Sequence, residues 1–340
     1  MNSQLVRSLY TTADDDEASR LLVKREAEEY RLANTWVNPR DGSIMVLVPA
    51  GEFILGSTPD EIQRARDGWG DGLKLDLAHE TPRSHAFVVA FYIGIHEVTN
   101  RQFARFLTAV RPDPERLQKW LPVADCILPP TDVAESYGVN PGYDRHPVAH
   151  VTWTGAEAYC RWAELRLPKE IEWEKAARGT DGRLFPWGDE WREDCLQWKQ
   201  TAAAGGAPTA PVDAFPQGAS PYGVLQMAGN VEEWCADTFL PDAYGRLARD
   251  GSRPLENGRG RVVRGGSCVG RSALEFRCAM RRANSPDRVT KRFIGFRCAS
   301  GELHWLKERP SAVAEVCPPS VMTASPPAET EKSPSPVARS

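Results

Sequence analysis

The stretch Arg264-Gly265-Gly266-Ser267-Cys268, continued by Arg277-Cys278 and Gly295-Phe296-Arg297-Cys298, closes a pattern that runs through most of this 340-residue chain. Upstream of it stand Gly229-Asn230-Val231-Glu232-Glu233-Trp234, Phe185-Pro186-Trp187-Gly188 and Arg166-Leu167-Pro168. Earlier still come Val151-Thr152-Trp153, Glu97-Val98-Thr99-Asn100 and Val48-Pro49-Ala50-Gly51-Glu52-Phe53. The set extends over roughly residues 43–300, in fixed order, so many short motifs must coincide for it to arise.

The length admits one large domain or two ordinary ones. A net charge of −4 and a pI near 6.0 leave no basic excess to attract nucleic acid. The 11 Trp and 27 Gly suit a loop-rich fold pinned by aromatic anchors. No apolar run of about 18 residues occurs, so no transmembrane helix and no membrane partner are expected. Residues 1–16 lack an apolar core and carry Asp14-Asp15-Asp16, which argues against a secretory leader and points to a cytoplasmic location. The eight cysteines are scattered, without a Cys-x-x-Cys pair. That spacing argues against a disulfide scaffold or structural zinc, and favours free thiols in a reducing compartment.

Residues 17–34 mix charges with Leu21, Leu22, Ala27, Tyr30 and Leu32, and predict an amphipathic helix that packs on a flank or meets a partner protein. Asn38-Pro39-Arg40-Asp41-Gly42 reads as a turn separating residues 1–42 from the domain at 43–303. Strands are expected over Ser43–Phe53 and Phe87–Ile95, and Val151-Thr152-Trp153 also reads as a strand. Helices are expected over Thr99–Val110, Thr154–Leu165 and Lys169–Arg178. Beyond Arg178 only turns, short strands and Trp-rich loops are expected. Residues 304–340 are dominated by Pro, Ser, Ala and Glu and cannot bury a core, so a disordered tail is expected, with Pro-x-x-Pro-like spacing open to a partner.

The whole motif set resembles the sulfatase-modifying-factor domain of formylglycine-generating enzymes. The resemblance implies an α+β fold of the C-type-lectin-like kind, with little regular secondary structure. In that family two cysteines after the Gly-Gly-Ser motif hold Cu(I), a soft ion matched to thiolates. Counted from Ser267, those positions are Gly270 and Glu275, so copper is not expected here. The family Trp before Glu-Trp is replaced by Glu232, and the Asn before the Gly-Phe-Arg segment by Phe293.

Ser267, Cys268 and Arg271 remain as catalytic candidates. Flanked by Arg264 and Arg271, Cys268 reads either as an acidified reactive thiol or as a small buried apolar residue. The resemblance also implies one calcium site at Gln226, Gly229, Asn230, Val231 and Glu233, offering amide, carbonyl and carboxylate oxygens. The alternative is a hydrogen-bonded turn. A second family calcium site falls on Leu196 and residues 203–206 and is expected to be empty. Cys160 and Cys298 match a paired position in secreted relatives and are expected to be adjacent.

His79, His85, His146 and His150 leave iron undetermined, since Pro147 rules out a shared helix for the last two. Residues 1–42 hold no His for the iron cluster that related sulfoxide synthases carry. Three functions stand open. The first is an oxygen-dependent oxidoreductase acting on a peptide, thiol or small molecule without the copper pair. The second is a catalytically silent peptide- or ligand-binding module on the same scaffold. The third is authentic formylglycine synthesis.

Overall fold

Ile44–Val48 (β2) is apolar throughout and buried at four of its five positions. A strand covered on both faces belongs inside a sheet. It lies between β1 (Thr35–Val37) and β5 (Phe91–Gly94), and β12 (Ala299–Ser300) closes the far edge of this antiparallel four-stranded sheet. The structure is a computed structural model that describes residues 34–70, 74–132, 134–198, 208–250, 260–287 and 293–301. The N-terminal helix expected at 17–34 falls outside these residues except for Asn34, and the tail at 304–340 lies wholly outside them.

The turn at residues 38–42 joins β1 to β2 rather than separating a linker from the domain, because Thr35–Val37 pairs in register with Ile44–Val46. The strand expected over Phe87–Ile95 divides in two. Ser84–Val88 (β4) pairs with Gly51–Leu55 (β3), and only Phe91–Gly94 joins the first sheet. Two further short strands, β6 (Ile127–Leu128) and β7 (Gly138–Val139), pair with each other.

Six helices lie among the described residues: α1 (Pro59–Trp69), α2 (Asn100–Val110), α3 (Pro114–Trp120), α4 (Trp153–Trp162), α5 (Glu170–Arg178) and α6 (Ala243–Asp250). Thr99 caps α2 in a reciprocal box with Gln102. Val151-Thr152-Trp153 is not a strand. The Thr152 hydroxyl accepts from the Gly155 amide at 3.1 Å and starts α4 at Trp153. Helix α6 breaks the expectation that only loops and strands follow Arg178.

The second four-stranded sheet positions the motifs of interest. Its order is β10 (Arg281–Asn284), β9 (Arg261–Arg264), β8 (Glu232–Thr238) and β11 (Ile294–Gly295), the last pair being parallel. Buried Arg–Glu pairs tie it to its surroundings. Arg264 reaches Glu174 at 2.5 Å, Arg281 reaches Glu170 at 2.7 Å and Arg277 reaches Glu80 at 2.7 Å. Truncating one partner of such a pair leaves the other charge buried alone, at a cost of about 3–5 kcal/mol.

Candidate functional site

β9 ends at Arg264, and the chain turns at once through Gly265 and Gly266, with φ of 90° and 68°. At Gly266 a side chain would be strained by its backbone and would meet the Phe276 ring, so only glycine suits the position. A second left-handed turn faces it, with Gln226, Gly229 and Asn230 at φ of 56°, 82° and 59°. The two turns are joined backbone to backbone: Gly229 N–H donates to Gly265 at 2.9 Å, and Cys268 N–H donates to Asn230 at 2.9 Å. This junction places Ser267 and Cys268 against the Gly229–Asn230 turn.

Cys268 is fully buried. Burial, with Glu97 nearby, pushes its thiol up to about 12, so it stays protonated at neutral pH. The arginines expected to acidify it are directed elsewhere. Arg264 points its guanidinium at Glu174, Glu170 and the Cys278 carbonyl, and Arg271 is exposed. Cys278 is also buried, and its thiol is likewise raised to about 12. Of the candidates Ser267, Cys268 and Arg271, only the first two lie inside the junction, and both are buried.

The copper positions do not fit copper. A Cβ at Gly270 would strike the Phe276 ring, so this backbone is packed on an aromatic face and offers no ligand. Glu275 is bound within the protein: one oxygen accepts from the Arg271 amide at 2.8 Å and the other from Arg282 at 2.5 Å. Arg282 also donates to Glu232 at 3.0 Å. The two acidic departures from the family pattern therefore meet on one guanidinium. Burial and the neighbouring Glu275 raise Glu232 to about 7 against the pull of Arg282. Carboxylate oxygens are hard donors and are poorly matched to Cu(I).

The ring of oxygens expected for calcium is not assembled as drawn. Both Glu233 oxygens accept from Arg297 at 2.6 Å, and one also accepts from the Trp173 indole at 2.9 Å. Asn230 accepts from the Ala210 amide and donates to Glu97 at 2.8 Å. The turn at Gly229–Asn230 is held by these hydrogen bonds, the arrangement its alternative reading describes. Gln226 Oε1 is buried and has no hydrogen-bond partner among the described residues. It is the one side-chain acceptor of the expected set that a cation would find open. Among the described residues no three His, Cys, Asp or Glu side chains form a metal-holding group.

Glu97 went unnoticed in the sequence because it sits inside a motif that reads as a helix start. Burial and the charge of Glu233 raise it well above the usual carboxylate range, and it accepts from the Asn230 amide at 2.8 Å. Cys160 and Cys298 lie side by side and buried, with sulfurs 3.5 Å apart. The histidines disperse: His79 meets Asp76, His146 meets Thr209 and His150 approaches Asp125 at 3.8 Å.

An aromatic cluster supports the junction from below. Phe276, whose ring covers Gly266 and Gly270, stacks on Trp191 at 5.7 Å and meets Trp198 edge-on at 6.0 Å. Phe185, Trp187 and Trp69 extend the contact outward.

Residues 33–301 match the model of the sulfatase-modifying factor enzyme 1-like domain. The chain belongs to this family. It is 36% identical to the formylglycine-generating enzyme of Streptomyces coelicolor, covering 77% of this chain and 90% of that enzyme. It is also 36% identical to the serine/threonine-protein kinase pkn1 of Chlamydia caviae, but spans only 38% of that protein's length. Among solved structures, PvdO from Pseudomonas aeruginosa superposes with a TM-score of 0.58 at 24% identity, covering 78% of this chain and 97% of PvdO. The sulfatase-modifying-factor fold, α+β and C-type-lectin-like, is therefore the fold of this chain, as the motifs imply.

Proposed function

We infer that this family member is a binding module in which the oxidative site has been replaced by an internal ion-pair cluster. One observation carries the reading. The positions that supply the copper thiolates in the resemblance hold Gly270, packed on Phe276, and Glu275, bridged through Arg282 to Glu232. Cys268, the thiol next to Ser267, is protonated and enclosed, which argues against its service as a nucleophile or soft metal ligand. Formylglycine synthesis would need two such thiolates in one place. What the family fold retains is the rigid double-turn junction and the aromatic surface beside it, a preformed scaffold for holding a peptide or small ligand.

The test is direct. The purified protein is supplied with Cu(I), oxygen and a cysteine-bearing peptide, and thiol loss and oxygen uptake are followed. The expected rate equals that of copper without protein. Protein-dependent thiol oxidation that disappears in Cys268→Ser would overturn the reading.

A further inference from the structure

We propose that the Trp187–Trp191 surface is a docking site for a basic peptide, the positively charged side chain resting on the indoles between Glu190 and Glu193. This rests on the binding-module reading above and names the ligand class for it.

Trp187 and Trp191 are partly exposed, with ring centroids 6.2 Å apart and planes inclined at 52°. They are held by what lies beneath them. Trp187 stacks on buried Phe185 at 5.3 Å, and Trp191 is fixed by Phe276 and by Trp198 at 4.9 Å. Their position therefore costs little further ordering when a ligand arrives. The Trp187 indole N–H is already committed to the Glu190 carbonyl at 2.9 Å, which brings the backbone of Glu190 against that ring. Trp191 donates its indole N–H to no described residue, leaving a donor for a peptide carbonyl.

The charge around the rings is one-sided. Glu190 and Glu193 are exposed and form no ion pair among the described residues. Asp189 is also exposed and accepts from the Leu184 amide. Arg192 is the single basic side chain between Trp187 and Cys195, and it is neutralised by Asp194 at 2.8 Å; Arg183, which donates to the Pro186 carbonyl at 3.2 Å, is likewise paired, with Asp181 at 2.6 Å. An indole face attracts a guanidinium or ammonium group, and a carboxylate at its edge adds charge and direction. An acidic ligand would be repelled by the same edge.

The probes are hexa-arginine, hexaglutamate and a neutral maltohexaose, titrated against the full chain by calorimetry. The proposal expects saturable binding of hexa-arginine alone, weakened as salt rises. The double variant Glu190→Gln/Glu193→Gln, altered only at exposed side chains, should lose about threefold to tenfold in affinity. Trp191→Phe, which keeps the stacking on Phe276, should lose a further twofold or so. No saturable hexa-arginine binding, or binding unchanged in the double variant, overturns the assignment, and so does preference for the neutral sugar. Failure here leaves the thiol-oxidation result standing. Catalytic thiol oxidation would sink the binding-module reading whether or not the peptide binds.

Discussion

Glu232 and Glu233 are consecutive on one strand, and alternation sends their side chains to opposite faces of the sheet. Glu233 turns to the framework, where Arg297 grips both oxygens and Trp173 adds a third hydrogen bond. Glu232 turns to the side of Glu275, one of the two copper positions, and shares Arg282 with it. The first matches the family pattern, and the second replaces a tryptophan. The comparison teaches that the scaffold face of this strand has been kept, while the site face has been rebuilt with charge. It also teaches that two buried carboxylates on one strand can be paired very differently. Glu233 has a guanidinium aligned in two places, whereas Glu232 shares one guanidinium with a second acid, and burial raises it to about 7.

The sharpest way to break this contrast is at the arginines. Arg297→Met should cost about 3–5 kcal/mol, because Glu233 would be left charged and buried. Arg282→Met should cost less, since Arg282 is partly exposed and Glu232 can take up a proton instead. Urea unfolding at pH 7 compares the two, and an equal or larger loss for Arg282→Met would contradict the contrast.

The next effect is in pH. A carboxyl whose folded pKa is raised binds its proton more tightly in the folded state. Its favourable contribution is therefore present at low pH and is lost as pH rises from 4.5 towards about 7. Glu232→Gln should remove up to about 3 kcal/mol of that decline, measured by unfolding at pH 4.5 and pH 7.5. Asp237, raised to about 6 by burial, keeps part of the slope in the variant. An identical slope in wild type and variant would place the titration elsewhere.

Smaller still is the response to calcium. With Glu233 committed to Arg297, the thermal midpoint should move by less than about 1 °C between calcium and a chelator. A clear rise with calcium, abolished in Gln226→Ala, would show that the open amide oxygen serves a cation after all. The least perturbing test is thiol labelling of the native protein. Maleimide should modify Cys126, which is partly exposed, and leave Cys268 untouched until the protein unfolds. Fast labelling of Cys268 would return the oxidative reading to consideration.

The sequence by itself determined the family, the fold class and the cores of α2 and α5, because cap residues and helical spacing act within a few residues of chain. It also marked Gly270, Glu275 and Glu232 as departures at the site. It misread Val151-Thr152-Trp153, where β-branched and aromatic residues suggest a strand, because a hydroxyl that caps a helix looks the same in sequence as one that faces solvent. Only the tertiary structure decided what the departures do. Arg282 lies 50 residues from Glu232 and 7 from Glu275, and no local signal joins the three. Likewise nothing near Glu233 in the chain announces its pairing with Arg297, 64 residues away. The physical reason is common to both: a carboxylate takes its role from the cation that folding brings to it, and the charge state follows from burial that no window of sequence contains.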